Sequence, residues 1–322
     1  MNTAIVTGCA GFIGSHLVDE LLKNDITVYG IDNFHPYYNR KIKEMNIENA
    51  LENKNFNFIE GSILNSDDLK KLPDRIDVLY HFAAIAGVRN SIQHPDEYFS
   101  INLEGTKKLL TRFKEIKKLV FASTSSVYGN VTKDNFPVKE TEPLEPISPY
   151  GESKKFAEEF CNQFARNTNT SLSILRFYTV FGPRQRPDEA FTKFIRLILD
   201  GKKIQIYGDG TKMRDFTYVT DIVNGSILAA EKGNGVYNLG TNNPISVNNL
   251  VCELEKLMKQ PVLKENIPSP KGDVEKTHAD ISKAQQELGY LPQIPFEAGV
   301  KNCVDWCKNT HPFLKTVDDL NG

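Results

Sequence analysis

Residues 4–14, with the sequence AIVTGCAGFIG, decide the fold that we predict for this chain. The apolar run 4–6 is typical of a short buried strand, and the residues after Gly14 favour a helix. Three glycines spaced three apart lie between them, where the backbone must turn tightly or touch a ligand. A helix N-terminus presents unpaired N–H groups and partial positive charge, so it holds a pyrophosphate. The stretch therefore predicts a strand, a dinucleotide-binding turn and a helix.

An acidic residue ends the second strand-like run, residues 27–32. A carboxylate at this place, about 20 residues after the glycines, accepts hydrogen bonds from the ribose hydroxyls of a dinucleotide. Asn33 and Phe34 follow Asp32, and no arginine stands beside them to pair with a 2′-phosphate. We therefore predict that the cofactor is NAD rather than NADP. The alternative for Asp32 is a solvated loop residue.

Composition indicates a soluble enzyme. The 322 residues exceed one typical domain, and the formal net charge of −2 comes without a basic run, so we expect no nucleic-acid partner. We also expect no membrane contact and no signal peptide, because Met1 leads almost directly into the first strand. The five cysteines are scattered, so we expect a cytoplasmic protein with reduced thiols. Cys303 and Cys307 should share a helix face, and no histidine cluster predicts a metal.

The alternation of strand-like and helix-like runs predicts an α/β fold, a Rossmann-type doubly wound parallel sheet wrapped by helices. Residues 1–177 should form this NAD-binding domain. Residues 178–322 should form a smaller mixed α/β lobe that binds substrate, with some segments returning to the first domain. The predicted strands are 3–7, 27–32, 56–60, 77–84, 118–124 and 171–177, then 204–207, 215–219 and 236–239 in the second lobe. The predicted helices are 12–24, 96–116 and 149–167, then 221–232, 246–259, 281–288 and 296–309, and residues 265–275 are predicted to be a loop between the lobes.

Hydroxyl and phenol groups follow the fifth predicted strand, at the sheet edge where such folds bind ligands. Thr124 belongs to a run of hydroxyl residues, 123–126, and Tyr150 then opens a helix that carries Lys154. Tyr and Lys four residues apart lie on one helix face. An ammonium and a nicotinamide cation would lower the tyrosine pKa from about 10 towards neutrality. The phenolate would then remove a hydroxyl proton while hydride leaves the same carbon.

A second pair with this spacing, Tyr37 and Lys41, is not expected to be catalytic. Tyr37 follows the second strand in a polar loop, on the adenosine side of the sheet, with no hydroxyl cluster placed to help. For Tyr150 and Lys154 the alternative is a surface helix with a solvated lysine, and the glycine loop argues against it.

These motifs together resemble the extended short-chain dehydrogenase/reductase superfamily and, within it, the nucleotide-sugar 4-epimerases. The resemblance also covers the run HFAA at 81–84 and the segments RDFTYV at 214–219 and GDV at 272–274. Many family members carry Asp where this chain has Ser62, which puts the adenine contact in question. The residues expected around NAD are Gly8, Gly11, Phe12, Ile13, Gly14, Asp32, Asn33, Ser62, Ile63, Phe82, Ala83, Ala84, Tyr150 and Lys154.

The resemblance implies roles for five residues. Thr124, Tyr150 and Lys154 match the catalytic residues of the 4-epimerases. Arg214 matches the residue that meets the substrate diphosphate, and Asp273 matches the one that meets the uridine ribose. The alternatives for these last two are a surface charge and a turn residue.

Missing acids separate this chain from two related groups. Sugar 4,6-dehydratases carry Asp-Glu after the threonine, where this chain has Ser125 and Ser126. Decarboxylases of UDP-glucuronate carry a glutamate in place of Ser126. Without such an acid, elimination and base-assisted decarboxylation lose a group, and oxidation at C4 followed by re-reduction remains.

The segment 176–188, RFYTVFGPRQRPD, is similar to UDP-glucuronate 4-epimerases, which have Thr where UDP-galactose 4-epimerases have Asn. A sugar carboxylate needs hydroxyl or cationic donors. The candidates are Ser125, Ser126, Thr179 and Arg186. The alternative is that Thr179 packs and that Arg186 pairs with Asp188.

The resemblance thus implies an NAD-dependent isomerase that converts UDP-glucuronate to UDP-galacturonate by transient oxidation at C4 and re-reduction from the other face. The sequence leaves open a UDP-glucose/UDP-galactose 4-epimerase, a nucleotide-sugar decarboxylase or oxidoreductase, and a non-catalytic NAD-sensing protein. The resemblance also implies a homodimer through helices 96–116 and 149–167. Their apolar stripes, which core packing would equally explain, are Tyr98, Ile101, Leu109 and Phe113 on the first helix, and Phe156, Phe160 and Phe164 on the second.

Overall fold

The computed structural model describes residues 1–114, 116–132, 135–269 and 274–314. The strands are β1 (Thr3–Thr7), β2 (Thr27–Asp32), β3 (Phe56–Glu60), β4 (Val78–His81), β5 (Lys118–Thr124), β6 (Ser171–Phe177), β7 (Thr179–Phe181), β8 (Ile204–Tyr207), β9 (Met213–Arg214), β10 (Phe216–Tyr218), β11 (Gly235–Leu239), β12 (Ile245–Ser246) and β13 (Lys264–Ile267). The helices are α1 (Phe12–Lys23), α2 (Arg40–Leu51), α3 (Ser66–Leu69), α4 (Val88–Gln93), α5 (Pro95–Tyr98), α6 (Gly105–Thr111), α7 (Pro149–Thr168), α8 (Ala190–Leu199), α9 (Val219–Glu231), α10 (Val247–Met258), α11 (Ser282–Leu288) and α12 (Phe296–Thr310). A π-helix (Phe99–Glu104) joins α5 to α6, and short 3₁₀ turns occupy Ser125–Val127 and His311–Phe313.

Seven parallel strands form the central sheet, in the order β11-β6-β5-β4-β1-β2-β3. The strand order reverses between β1 and β4, which creates a crevice at their carboxyl ends. Helices cover both faces of the sheet, because parallel strands must be buried on each side. The predicted α/β, Rossmann-type fold is confirmed.

The glycine stretch folds as the sequence predicts. Ala4, Ile5 and Val6 are fully buried in β1, and α1 begins at Phe12. The helix ends at Lys23, one residue before the predicted end. Backbone sterics and the pattern of apolar residues specify this strand, turn and helix locally, so they can be predicted from the sequence.

The strand predicted over 236–239 belongs to the central sheet rather than to the second lobe. β11 pairs in parallel with β6, from Gly235 opposite Ser173 to Leu239 opposite Phe177. The helix before it, α9, packs against α1, β5 and β6. After residue 177, α9 and β11 therefore pack with the central sheet, while the division of the chain into two domains stays a prediction.

The helix predicted over 96–116 is present but shorter, and its middle is a π-helix. The chain is helical from Pro95 to Thr111, through α5, the π-helix and α6 in succession. Asn102 lies in the π-helix, where its amide accepts from the N–H of Ile85 at 2.9 Å and donates to the Ile85 carbonyl at 3.0 Å and to Ser153 Oγ at 3.0 Å. These partners come from distant parts of the chain, so helical periodicity alone does not reveal the π-helical stretch.

Aromatic side chains form the core of the second lobe. The rings of Phe181 and Phe191 stack with centroids 4.4 Å apart, and Phe216 meets Phe191 edge-on at 5.0 Å. β7 pairs with β10, so Phe181 and Phe216 come from neighbouring strands. This core holds both ends of loop 182–189, which connects β7 to α8.

The loop predicted over 265–275 begins as a strand. β13 pairs in parallel with β8, from Lys264 opposite Ile204 to Ile267 opposite Tyr207. Its polar sequence, KENI, lacks the apolar signal of a buried strand because the strand is largely exposed. Residues 270–273 lie outside the described part of the chain. None of the helices that the structure describes has the length and apolar character needed to cross a membrane.

Candidate active site

In the glycine turn, the protein backbone is left uncovered by side chains, so a ligand can contact it directly. Gly8 has a φ of 70°, and a Cβ there would lie 2.9 Å from the backbone of Ala83. A Cβ at Gly14 would overlap the carbonyl oxygen of Gly8. Gly11 occupies the N-cap of α1 and brings no side chain to cover the first N–H groups of the helix. The turn and the helix N-terminus therefore form an open anion cradle.

Asp32 ties the second strand to this cradle. Its carboxylate accepts from the N–H of Ala10 at 3.1 Å and from the N–H of Phe34 at 2.8 Å. Since a carboxylate has about four acceptor positions, it keeps capacity for ribose hydroxyls. A ribose contact of Asp32 stays a prediction, and its contact with Ala10 in the glycine turn, which depends on the pairing of β1 with β2, was not predicted.

His81 fixes the end of β4 through a chain of hydrogen bonds whose direction can be assigned. Thr106 Oγ1 donates to the Asn102 carbonyl at 2.6 Å, so it accepts from His81 Nε2 at 2.8 Å. Thr7 Oγ1 accepts from the N–H groups of 82 and 83, and therefore donates to His81 Nδ1 at 2.8 Å. Burial lowers the pKa of His81 to about 3, so the ring is neutral. The strand end is thus locked beside Gly8.

The other expected cofactor residues lie at the same edge of the sheet. Phe12 and Ile13 open α1, and Ala84 continues the chain just beyond His81 at the end of β4. Phe82 packs edge-on against Phe177 at 5.8 Å. Asn33 is exposed after β2, and after β3 the N–H of Ser62 donates to Asp68 at 3.0 Å while Ile63 is buried.

Tyr150 and Thr124 meet at the carboxyl ends of β5 and β6. The Ser148 hydroxyl caps α7 by accepting from the N–H of Gly151 at 3.2 Å, which places Tyr150 in the first turn. Desolvation raises the pKa of Tyr150 to about 12, against a hydrogen bond to Thr124 that lowers it. Burial lowers the pKa of Lys154 to about 8. Desolvation is thus the largest effect on this phenol in the protein by itself, and the lowering expected from a nicotinamide cation together with Lys154 stays a prediction for the cofactor-bound state.

A buried ion pair anchors α7 behind these groups. Arg176 on β6 donates to both carboxylate oxygens of Glu158, from Nε at 3.1 Å and from Nη2 at 2.7 Å. Ser123 Oγ, at the end of β5, also donates to Glu158. One turn earlier, the Lys154 ammonium lies 4.1 Å from the centre of the Phe121 ring. Glu158 therefore joins the helix that carries Tyr150 to two strands of the sheet.

The hydroxyl residues at the end of β5 continue into the 3₁₀ turn Ser125–Val127. Thr124 Oγ1 accepts from the N–H of Ser126 and donates to its hydroxyl, both at 3.2 Å. Ser125 and Ser126 are half-buried, as is Thr179 at the start of β7. These hydroxyls remain available at the crevice that the sheet creates.

Arg186 lies between two acids in loop 182–189. Its Nε and Nη2 donate to the two carboxylate oxygens of Asp188, each at 3.0 Å, and Nη2 also donates to Glu189 at 2.7 Å. The pairing with Asp188 was the alternative that the sequence left open. The guanidinium charge nevertheless lowers the pKa of Tyr150.

The structure corrects the expected position of Tyr37. Its ring lies 5.0 Å from the Arg186 guanidinium, and its hydroxyl donates to Asp188 at 3.4 Å. A Cβ at Gly87 would lie 3.1 Å from the Tyr37 hydroxyl and 3.4 Å from that of Tyr98, so these phenols share a narrow space. Tyr37 is thus part of the candidate site, although Lys41 is exposed. The long loop after β2 carries no sequence signal of this contact.

Arg214 stands at the edge of the second lobe. Its Nη1 donates to the carbonyls of Met213 at 2.9 Å and Glu275 at 3.3 Å. The neighbouring Asp215 is fully buried and accepts from the backbone and hydroxyl of Thr241, each at 2.7 Å. Asp273, the predicted ribose contact, lies outside the described residues.

Metal chemistry has no support among the described residues, where no cluster of His, Cys, Asp and Glu could hold an ion. Cys303 and Cys307 are both buried on α12 and therefore share a face, as expected.

Comparison with known proteins identifies the family. Residues 4–240 match the NAD dependent epimerase/dehydratase family. This chain belongs to that family. A UDP-glucuronate 4-epimerase of Thermodesulfobacterium geofontis is 38% identical over 98% of this chain and 99% of its own length. The crystal structure of a Bacillus cereus UDP-glucuronic acid 4-epimerase, in complex with UDP-glucuronic acid and NAD, is 40% identical and has a TM-score of 0.90, covering 95% of this chain and 99% of that one.

A relative with another sugar is also similar. The UDP-glucose 4-epimerase of Thermotoga maritima, solved with UDP-glucose, is 36% identical with a TM-score of 0.86, and covers 96% of this chain and 99% of that one. The family uses NAD, and the glycine cradle and Asp32 fit this cofactor: Gly8 and Gly14 leave no room for a side chain, and the N-terminus of α1 faces the turn.

Proposed function

We propose that this chain is an isomerase, an NAD-dependent UDP-sugar 4-epimerase that interconverts UDP-glucuronate and UDP-galacturonate. The observation that carries the proposal is the position of Arg186. Its Nη2 lies 3.7 Å from the place of a Cβ at Gly87, which is also 3.4 Å from the Tyr98 hydroxyl, and the Tyr98 ring packs edge-on against Tyr150 at 6.1 Å. A cation in this part of the site suits a substrate with a carboxylate at the neighbouring end of the ring.

The reaction needs a proton acceptor and a hydride acceptor at the same carbon. A bound NAD would supply the acceptor for the hydride that leaves sugar C4 and the source of the hydride for re-reduction. Tyr150 takes the proton of the C4 hydroxyl and gives it back after the sugar has turned its other face. Thr124, which hydrogen-bonds to Tyr150, aligns this hydroxyl. Lys154, one turn along α7, keeps positive charge under the phenol.

Four donors are proposed to hold the sugar carboxylate: Ser125, Ser126, Thr179 and Arg186. The oxidised sugar is a β-keto acid and loses carbon dioxide when its carboxylate aligns with the ketone. Donors that fix the carboxylate limit this loss. Hydrogen bonds to a charged group contribute about 1.5–3 kcal/mol each, so two or three of them discriminate strongly against a neutral sugar.

The second lobe is proposed to hold the nucleotide. Arg214 would meet the diphosphate, and Asp273 the uridine ribose. We divide the chain into an NAD-binding domain, residues 1–177, and a substrate lobe, residues 178–322, from which β11 and α9 return to the first domain. The buried free thiols support a cytoplasmic location.

We also propose a homodimer, on a revised set of residues. Tyr98, Leu109, Phe113 and Phe164 of the predicted stripes are buried within the chain itself, so they belong to its core. Phe156 on α7 remains 43% exposed and lies against Phe99, with ring centroids 6.2 Å apart. Ile92 on α4 and Ile147 just before α7 are exposed as well. An apolar surface on α4 and α7 would be covered by a second copy.

Product analysis of the purified protein tests the proposed reaction. The protein is incubated without added cofactor, with UDP-glucuronate or with UDP-glucose, and the sugars are separated. We expect UDP-galacturonate to form far faster than UDP-galactose. Thr179→Val should slow the turnover of UDP-glucuronate and raise the share of decarboxylated product, whereas Thr111→Val, on the exposed face of α6, should change neither. Comparable turnover of both sugars would move the assignment to a UDP-glucose/UDP-galactose 4-epimerase.

A further inference from the structure

Arg186 is already engaged by two acids, and they hold it differently. The Asp188 carboxylate accepts hydrogen bonds from Nε and Nη2 of Arg186. Tyr37, whose hydroxyl donates to Asp188, stacks its ring on the Arg186 guanidinium. Glu189 makes one contact, to Nη2 at 2.7 Å. The Arg186 side chain is 15% exposed while that of Glu189 is 40% exposed. Asp188 therefore holds the arginine through two nitrogens, whereas Glu189 shares Nη2 alone. This nitrogen lies 3.7 Å from the place of a Cβ at Gly87, beside the hydroxyls of Tyr37 and Tyr98.

The Glu189 side chain does not cap the helix that follows it. Glu189 is the N-cap residue of α8, with φ −78° and ψ 151°, yet its side chain makes no capping hydrogen bond to the helix. Its carboxylate turns to Arg186 instead. No capping hydrogen bond therefore fixes the Glu189 side chain, and its contact with Arg186 orients it.

The charged and titratable groups around Glu189 come from several elements. Arg186 and Asp188 share its loop, and Arg89 approaches from α4, where it also donates to the Tyr207 hydroxyl at 2.7 Å. Tyr150 on α7 feels the Glu189 charge, which raises the pKa of the phenol. Tyr37 and Tyr98 complete the surroundings through their contacts with Arg186 and Tyr150.

We propose that Glu189 sets the sugar specificity of the site by competing with the substrate carboxylate for Arg186. This inference rests on the proposed function and names a residue that neither the motifs nor the resemblance singled out. A carboxylate that enters the cleft meets an arginine whose charge Asp188 and Glu189 already balance. It binds when the Glu189 side chain leaves Nη2 or takes up a proton.

Desolvation favours the protonation of Glu189. The Glu189 side chain is partly exposed, but desolvation by the surrounding protein raises its pKa; Arg186 opposes the rise and Asp188 adds to it. Protonation of Glu189 removes a like charge from the carboxylate site. The affinity for a sugar carboxylate should therefore increase as the pH falls, and the affinity for a neutral sugar should not follow it.

Binding measurements test the competition without turnover. The NAD-loaded protein carries Tyr150→Phe throughout, and its dissociation constants for UDP-glucuronate and UDP-glucose are measured by calorimetry, with and without Glu189→Gln. We expect the preference for UDP-glucuronate to increase about tenfold with Glu189→Gln, the equivalent of one hydrogen bond to a charged group. Glu189→Ala should act in the same direction. Glu297→Gln, exposed in the first turn of α12, is the matched control and should leave the ratio unchanged.

The pH dependence of the preference for UDP-glucuronate is a second test, because a purely structural role of Glu189 would not change it. We expect the preference for UDP-glucuronate to grow towards low pH with Glu189 present and to lose this dependence with Glu189→Gln. A ratio that stays the same or falls in both Glu189 variants would overturn the inference. Failure of the proposed function is seen separately, as a protein with Tyr150 intact that does not convert UDP-glucuronate.

Discussion

At the scale of residues, the site is governed by how desolvation and charge act on one phenol. Desolvation and Glu189 raise the pKa of Tyr150, while Thr124 and Arg186 lower it, and the result is about 12. One unit of pKa corresponds to about 1.4 kcal/mol, so the phenol stays protonated at neutral pH in the protein by itself. Ionisation for catalysis then requires further positive charge, which a bound nicotinamide ring brings.

Removal of the Tyr150 hydroxyl tests its role in proton transfer. We expect Tyr150→Phe to lower kcat by about 10²–10⁴, the usual contribution of general acid–base catalysis, while NAD stays bound. Epimerisation rates and the NAD content of the purified protein check both statements. Tyr29→Phe, which removes a phenol hydroxyl from β2, should leave the rate unchanged. More than half of the activity in Tyr150→Phe would contradict the mechanism.

Two histidines that are held neutral make stability depend on pH. The folded-state pKa is about 3 for His81 and about 4 for His16, in both cases mainly because of burial. The unfolded chain binds these protons near pH 6.5, so it takes up more protons than the folded one as the pH falls. The free energy of unfolding should therefore decrease below pH 6.5, by about 1.4 kcal/mol per pH unit for each group.

Urea unfolding at pH 7, 6 and 5 measures this slope. His81→Gln should flatten it by one proton's contribution, whatever its effect on stability at pH 7. His94→Gln, at an exposed position, should leave the slope as it is. An unchanged slope in His81→Gln would mean that His81 is not held neutral.

At the scale of elements, α7 is held at its N-terminus and at its middle. The Ser148 cap sets its first turn, and the ion pair between Glu158 and Arg176 holds its middle to β6. Both side chains of the pair are almost completely buried, 4% and 5% exposed. Tyr150 and Lys154 lie between these two anchors, so the helix presents them to the strand ends in a fixed orientation.

Loss of this anchor should destabilise the fold. Glu158→Gln leaves a buried guanidinium without a charged partner, which costs about 3–5 kcal/mol. Urea unfolding at pH 7 measures the loss. Glu159→Gln, the exposed neighbour on the same helix, should stay within about 0.5 kcal/mol of the unchanged protein. Equal stability of the two variants would show that the pair contributes little.

At the scale of the whole molecule, the site lies where two cores meet. The central sheet supplies the glycine cradle, Asp32 and the hydroxyl run, and the aromatic core of the second lobe holds loop 182–189 against them. Arg89 bridges from α4 to Tyr207 on β8, with its guanidinium 4.0 Å from the ring centre. The two parts of the chain therefore build one cleft together.

Assembly is predicted at the same scale. We expect a mass near twice the 36.3 kDa of one chain by light scattering at micromolar concentration. Phe156→Glu should shift the mass towards one chain, because a charge on the apolar surface of α7 opposes its burial. Leu291→Glu changes an equally exposed side chain outside that surface and should leave the dimer intact. A single-chain mass for the unchanged protein would refute the homodimer.

Local patterns were sufficient for much of this fold. The strand, turn and helix at residues 3–23, and the position of Tyr150 and Lys154 on one helix, follow from periodicity and glycine placement. Four helices were not predicted at all, α2, α3, α4 and α8. The first of them, with the sequence RKIKEMNIENAL, is mostly polar, and its helical form depends on packing rather than on a strong apolar stripe.

The sequence by itself determined the doubly wound sheet, the dinucleotide turn and the residue types of the site, because each rests on spacing within a few turns or strands. Only the tertiary structure decided that Tyr37 stacks on Arg186, that Glu189 shares its guanidinium, and that β11 closes the sheet beside β6. Tyr37 lies 151 residues before Asp188, to which its hydroxyl also donates. Glu189 and Arg186 are only three residues apart, but the loop that carries them is held at both ends by the core of the second lobe. These contacts are set by how packed elements bring distant side chains into one low-dielectric cleft, which no local pattern encodes.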